Sequence, residues 1–234
     1  MKTKFKELIS KLNVTLSDAQ IDQFFIYKET LKEWNEKINL TTIVDDNEIL
    51  IKHFLDSLTI EKYIPQNAKM IDIGTGAGFP GIPLKIARPD IELVLLDSLN
   101  KRINFLNEVI EKCKLKNVKT IHGRAEDYAR NIEYREKFDI STARAVANTS
   151  TLLEYCTPFL KINGVFICMK ADAEQEINGA LNATKILNVK KESVDKFKLP
   201  EIEAGRTIII YKKVNATPKQ YPRKAGMPAK EPLK

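Results

Sequence analysis

The run Met70-Ile71-Asp72-Ile73-Gly74-Thr75-Gly76-Ala77-Gly78-Phe79-Pro80-Gly81 limits the fold more than any other part of this chain. A short apolar segment breaks into alternating glycines, the residues that let a backbone turn sharply and a ligand come close to it. In a doubly wound sheet, such a turn joins the first parallel strand to its helix, and the ligand lies beyond the carboxyl ends of the strands. Two patterns overlap here. From Gly76 the run reads G-x-G-x-x-G, the fingerprint of dinucleotide sites. From Asp72 it reads acid-x-G-x-G-x-G, with a carboxylate at its head.

The surrounding sequence supplies the rest of such a fold. From Lys69 onward, short apolar runs alternate with helical segments. Strands are expected at KMIDI, IELVLLD, VKTIHG, KFDISTA, GVFICMK, VKKESVDKF and RTIIIYKK, with helices near 79–87, 99–113, 148–160 and 172–186. The alternation predicts an α/β fold with a seven-stranded, mostly parallel, doubly wound sheet. Only a turn separates the last two strands, which are therefore expected to pair antiparallel at the sheet edge. Residues 1–66 show helical periodicity instead. Ser17 followed by Gln20 has the spacing of a capping box, and Ile21, Phe24, Leu31, Trp34 and Ile38 recur at roughly helical intervals. A further helix is expected in DNEILIKHFLDSLTI. Trp34 and its apolar neighbours read as core. The chain thus divides into a helical extension (1–66), a sheet domain (67–213) and a tail (214–234).

Charge decides between the two glycine patterns. A dinucleotide needs helix N–H groups and positive potential at its pyrophosphate. Pro80 stands at the helix start without an N–H to give, and Asp72 places a negative charge just before the turn. S-adenosylmethionine carries no phosphate, and its ammonium and sulfonium favour a nearby carboxylate. The acid-led reading prevails, with Asp72, Gly74, Gly76 and Gly78 as cofactor residues. Asp97, at the end of the second strand, is placed to accept both ribose hydroxyls, a role that would serve a nicotinamide nucleotide equally. After the third strand, the backbone of Ala125 and Glu126 and a carboxylate of Glu126 or Asp127 are expected near the adenine edge.

Composition narrows the setting. Three cysteines without a C-x-x-C pair and only two histidines give no metal site, and Cys113 and Cys168 read as small core residues. No apolar run approaches the roughly 18 residues of a membrane helix, and the amphipathic start lacks a signal-peptide centre. A cytoplasmic monomer is the expectation. The formal net charge of +7 is concentrated at the end of the chain, in Lys212, Lys213, Lys219, Arg223, Lys224, Lys230 and Lys234, opposed only by Glu231. Four prolines and few large apolar residues predict a tail that stays extended or disordered until a partner binds. RNA phosphates suit that charge, with Lys219, Arg223, Lys224 and Lys230 as contacts and Tyr221 as a stacking platform.

The loop after the fourth strand, FDISTARAVANTS, is where a methyl acceptor would meet the cofactor. It lacks both the Asp/Asn-Pro-Pro-aromatic run of amine methylation and the cysteine of pyrimidine C5 methylation. Guanine N7 needs neither, because its lone pair lies in the ring plane and it has no proton to lose. Arg144 is the residue this loop offers, either to the guanine edge or to the cofactor carboxylate. A protein or small-molecule acceptor is the alternative.

The chain also resembles the bacterial small-subunit ribosomal RNA methyltransferase G family, also called glucose-inhibited division protein B. The likeness lies in WNEKINLTTI, HFLDSL, DIGTGAGFPGIPLKI, DSLNKRINFL, GRAED, TARAVA and YPRKAGMPAKEPL, in that order and over almost the entire length. The resemblance implies a class I Rossmann-like, S-adenosylmethionine-dependent enzyme that forms 7-methylguanosine in a loop of 16S rRNA, in free RNA or in the small ribosomal subunit. It also implies cofactor contacts from Gly74, Phe79, Ala125, Glu126 and Arg144. CMKAD stands where relatives often carry lysine followed by glycine or alanine, with Lys170 retained.

Overall fold

The helical periodicity of residues 1–66 is realised in a computed structural model that describes residues 1–144, 147–171, 173–202 and 204–233. Helix α1 (Lys2–Ser10) leads into α2 (Asp18–Ile38). Both halves of the capping box form on α2, with the Ser17 hydroxyl accepting from Gln20 N and Gln20 Oε1 accepting from Ser17 N. A continuous helical stretch follows, consisting of α3 (Asp46–Glu48), a π-helical segment (Ile49–Leu55) and α4 (Asp56–Leu58).

These helices share one core with a face of the sheet. Phe5, Phe24, Tyr27 and Phe54 bury their rings together, with centroids 5.2 Å apart for Phe5–Phe24 and 5.1 Å for Tyr27–Phe54. Each such aromatic pair adds about 0.5–1.5 kcal/mol beyond simple burial. Polar ties run in the same direction. Gln20 Nε2 donates to the carbonyls of Ile86 (2.7 Å) and Ala87 (3.1 Å), and the Tyr27 hydroxyl donates to Ala77 O inside the glycine turn.

The apolar runs at the centre of the sheet become strands buried on both faces, as parallel sheets require, while the strands at its two edges are partly exposed. In chain order the elements are β1 (Lys69–Ile73), α5 (Gly81–Ala87), β2 (Glu92–Asp97), α6 (Asn100–Lys112), β3 (Val118–His122), α7 (Ala125–Tyr128), β4 (Phe138–Arg144), α8 (Thr149–Cys156), β5 (Leu160–Lys170), α9 (Glu174–Gly179), α10 (Leu181–Ile186), β6 (Val189–Lys198) and β7 (Gly205–Lys213). The seven strands lie in the order β3-β2-β1-β4-β5-β7-β6. The first five pair in parallel, while β7 runs antiparallel to both β5 and β6, as expected for the last two strands. The chain reverses direction across the sheet at β1, whose neighbours are β2 and β4, so the site is expected at the carboxyl ends of these three strands. Pairing of Ile73 with Leu96 brings Gly74 beside Asp97 there.

Three local expectations change. The helix expected at 148–160 ends at Cys156, and β5 starts at Leu160, earlier than GVFICMK implied. The helix expected at 172–186 is broken at Ala180 into α9 and α10, and its first residue, Asp172, lies outside the described residues. Ala145 and Val146 of the loop after β4, and Lys234 of the tail, lie outside them as well.

The largest correction concerns the tail, which is docked against the sheet domain. Arg135 donates to the carbonyls of Thr217 (2.8 Å) and Tyr221 (2.9 Å), and Arg130 donates to Pro222 O (2.6 Å). Arg223 turns inward and grips the fully buried carboxylate of Glu154 on α8. A last helical turn, α11 (Met227–Lys230), follows, with Pro228 O accepting from the Thr151 hydroxyl at 2.9 Å. Composition pointed to disorder because it counts apolar surface. This segment is held by hydrogen bonds to its carbonyls and by one ion pair in a low-dielectric setting.

Candidate active site

The glycine turn has the geometry its sequence requires. Gly74, Gly76 and Gly78 take φ values of 65°, 61° and 93°, the left-handed region that side chains resist. At Gly78 a Cβ would also lie 2.7 Å from Ile82 Cγ1 and 2.8 Å from the Tyr27 hydroxyl, so the core packs directly on the turn. Asp97, 2% exposed, closes the opposite side. Its Oδ2 accepts from Gly76 N at 2.8 Å and from Arg102 Nη1 at 3.3 Å, and its Oδ1 accepts from Leu99 N at 2.9 Å.

Asp72 does not occupy the position that the sequence suggested. Its side chain is fully buried beneath the turn and does not line the cavity above it. Its Oδ2 accepts from the Thr75 hydroxyl (2.6 Å) and Gly81 N (3.0 Å), tying strand, turn and α5 together, while Oδ1 has no hydrogen-bond partner among the described residues. Burial pushes its carboxyl up to about 6, against the hydrogen bonds from Thr75 and Gly81. The folded state therefore holds this proton more tightly than the unfolded chain does. The resulting stabilisation is complete below about pH 4 and is lost as pH rises through about 6. Asp72→Asn should consequently gain about 3 kcal/mol of stability relative to the unsubstituted protein between roughly pH 4 and 7. Urea denaturation across that range measures the difference, and a pH-independent difference contradicts the assignment.

Arg144, at the end of β4, is held from the N-terminal helices. Its Nη1 donates to Asp56 Oδ2 at 2.8 Å, and its guanidinium lies 4.9 Å from the centroid of the Phe79 ring. Arg206 Nε, at the start of β7, donates to Asp56 Oδ1 at 2.7 Å, so one buried carboxylate joins two arginines. His53 stacks on Phe79 with centroids 4.4 Å apart. Burial, reinforced by the Arg144 charge, pushes the imidazole down to about 3, so it is neutral near pH 7. Arg144 Nη2 approaches His53 Nδ1 at 3.4 Å and has only hydrogens to offer. His53 is thereby the Nε2–H tautomer, donating to Thr41 Oγ1 at 2.8 Å.

Two cavities flank this His53–Arg144 pair. One of about 420 Å³ is lined by Thr41, Gly74, Gly76, Phe79, Asp97 and Arg102, with His53 and Arg144 at its border. Its volume falls within the roughly 300–1,000 Å³ typical of small-molecule sites. The other, of about 490 Å³, lies beyond Arg144 over the end of β5. Of the residues singled out from sequence, Gly74, Gly76, Phe79, Asp97 and Arg144 line the first cavity. Asp72 and Gly78 shape it from beneath. Ala125 and Glu126 do not line it, and the Glu126 carboxylate faces the tail, with Oε1 accepting from Gly226 N at 2.8 Å.

Sequence reasoning missed Thr41, His53, Asp56, Arg102 and Arg206. Four of them lie in segments that carry the family resemblance: Thr41 in WNEKINLTTI, His53 and Asp56 in HFLDSL, and Arg102 in DSLNKRINFL. Of the tail residues, Lys219, Lys224 and Lys230 are exposed, whereas Tyr221 packs against a second buried cluster that includes Phe138, Phe159 and Phe166, and Arg223 is paired. Among the described residues no cluster of metal-ligating side chains occurs, and no helix is long and apolar enough to cross a membrane. The three thiols are buried, which pushes Cys113 and Cys168 up to about 12 and Cys156 well above its ordinary value, leaving no thiolate nucleophile at the site.

Comparison with known proteins agrees with this geometry. The fold is shared with a SAM-dependent methyltransferase from Aquifex aeolicus (TM-score 0.56, 15% identity, 75% of this chain and 97% of that one). It is shared equally with an O-methyltransferase from Bacillus cereus solved in complex with SAH (TM-score 0.56, 18% identity, 80% and 91%). Curated proteins called ribosomal RNA small subunit methyltransferase G are far closer in sequence. That of Acetivibrio thermocellus is 52% identical, covering 96% of this chain and 93% of its own length, and that of Alkaliphilus oremlandii is 50% identical, covering 100% and 99%. A family model described as rRNA small subunit methyltransferase G matches residues 20–205. The chain belongs to the rRNA small subunit methyltransferase G family.

Proposed function

We propose that the protein transfers the methyl group of S-adenosylmethionine to N7 of a guanine in 16S rRNA. The observation that carries this reading is the lack of a free proton acceptor, among the described residues, at the junction of the two cavities. His53 is neutral with both ring nitrogens facing partners, Asp56 is bound by two arginines, and Asp97 is paired with Arg102. An amine acceptor would need a base there, whereas N7 needs only orientation for in-line attack.

The cavity residues fit the cofactor. The glycine turn brings open backbone to the ligand, Asp97 suits vicinal ribose hydroxyls, and Phe79 and His53 form an apolar, uncharged wall for the sulfonium side. The bound cofactor supplies an electrophilic methyl: N7 forms the new bond to carbon as the S–C bond breaks, and sulfur keeps the electron pair. The protein's part is to hold the two reactants in line and exclude water. Arg144, fixed by Asp56 and lying on Phe79, sets the boundary between them.

Labelled S-adenosylmethionine incubated with 16S rRNA or small subunits lacking the modification tests the proposal. Reductive strand scission, which cleaves at 7-methylguanosine, should map the label to one guanine. Label on a pyrimidine, an exocyclic amine or protein contradicts it.

The tail supports an RNA substrate through Lys219, Lys224 and Lys230, which are exposed. Replacing Lys219, Lys224 and Lys230 together with Gln should lower the slope of log affinity against log salt by about 2 to 3, at roughly 0.7–0.9 per phosphate contact. Filter binding over a salt series measures this, and an unaltered slope removes the lysines from the interface. Truncation at residue 214 is a poorer test, because it strips the partners of Glu154 and Arg135.

A further inference from the structure

The second cavity, about 490 Å³ in volume, shares His53 and Arg144 with the cofactor cavity and opens over the ends of β4 and β5. Across the sheet it therefore lies on the far side of Arg144 from the glycine turn. Its cations do not form an anion site. Arg144 and Arg206 are both bound to Asp56, Lys52 is paired with Glu48 (2.5 Å), and Lys170 is held by Ala147 O (2.5 Å) and Glu176 (2.8 Å). The far wall instead ends in the carboxylate of Glu176. Thr149 N and the Thr149 hydroxyl, each at 2.8 Å, join Lys170 on Glu176 Oε2. None of these three contacts uses Oε1, and the side chain remains 36% exposed at the cavity wall.

We infer that this cavity seats the acceptor guanine, with Glu176 accepting a hydrogen bond from its exocyclic N2 amino group. The inference rests on the guanine-N7 reading above. A purine that turns N7 through the His53–Arg144 wall presents its opposite, N2-bearing edge to the far side of the cavity. A carboxylate there accepts from guanine, and it rejects adenine, which has no donor at position 2 and a lone pair at N1. Positive charge develops on the ring as N7 takes the methyl, making the ring N–H groups better donors. The Glu176 contact therefore strengthens at the transition state and contributes to turnover as well as to choice of base.

The test pairs an RNA carrying the target guanosine with one carrying inosine at the same position, which keeps N7 and lacks only the N2 amino group. A hydrogen bond to a charged group predicts a drop in kcat/KM for the inosine RNA of about 10- to 100-fold. Glu176→Gln is isosteric, but the three donors on Oε2 claim its single amide oxygen, which turns an NH2 toward the base. That variant should lose about 10- to 100-fold on the guanosine RNA. It should no longer favour the guanosine RNA over the inosine RNA, while the variant remains folded and its S-adenosylhomocysteine affinity stays within error. Methylation at N7 with equal kcat/KM on both RNAs in the unsubstituted protein overturns this assignment alone, and that arm does not depend on the variant folding. Retained discrimination in Glu176→Gln overturns it as well. Methyl found on an atom other than N7 overturns both this assignment and the guanine-N7 reading.

Discussion

Arg223→Ala should cost about 3–5 kcal/mol of stability, the range for removing one partner of a buried ion pair. Glu154 is fully buried, and its oxygens accept from Arg223 N (2.7 Å), Nε (3.0 Å) and Nη2 (2.7 Å). Without the guanidinium, that charge would stay in the core of α8 with only the backbone N–H of residue 223 against it. The neighbouring contacts of the tail, Gly226 N to Glu126 and Thr151 to Pro228 O, would be left to hold the strap alone. Adding Glu154→Gln should recover part of the loss, because a neutral amide removes the uncompensated charge. Urea denaturation of the two single variants and the double variant gives the coupling, which should reach about 2 kcal/mol for groups in direct contact. A loss below about 1 kcal/mol for Arg223→Ala, the value of an exposed pair, would show that the tail is not held by this contact.

Arg144→Ala should reduce kcat about 100-fold, the scale of a misplacement of roughly 1 Å between reacting groups. The guanidinium separates the two cavities, rests on Phe79 and is fixed by Asp56, so its loss merges them. Arg144→Lys should not restore the rate, because an ammonium has neither the planar face for Phe79 nor the fork that reaches Asp56 and His53 together. RNA affinity should remain largely intact, since the proposed phosphate contacts are the exposed lysines of the tail. Single-turnover rates with saturating RNA, alongside filter binding, separate these effects. Lost RNA binding with an undiminished rate at saturation would contradict the role assigned to Arg144.

The parts of this molecule that were legible in its sequence are local. The apolar runs gave all seven strands, the Ser17–Gln20 spacing gave the capping box, and the missing helix between the last two strands gave their antiparallel pairing. The meeting of the glycine turn with Asp97 was legible for the same reason, since strand register alone brings them together.

What the sequence concealed depends on contacts between distant residues. Asp56 meets Arg144 across 88 positions and Arg206 across 150, so no spacing rule connects them. His53 stands in HFLDSL, yet its stacking on Phe79 follows only from the packing of the N-terminal helices on the turn. Asp72 looked like a ligand for a cation because its position beside the glycines was visible and its direction was not. Its carboxylate points beneath the turn, to Thr75 and Gly81. The tail was misread because composition cannot show that Arg130 and Arg135 lie where they bind its carbonyls.

The central claim is that the glycine turn and Asp97 hold a sulfonium nucleoside, with Arg144 at the boundary to the acceptor. Calorimetric titration of the purified protein with S-adenosylhomocysteine and, separately, with NAD and NADP tests it most directly. The account predicts saturable one-site binding of S-adenosylhomocysteine, weakened by Asp97→Asn, and no measurable heat from either dinucleotide. Binding of a dinucleotide at the same site, with S-adenosylhomocysteine inert, would contradict it.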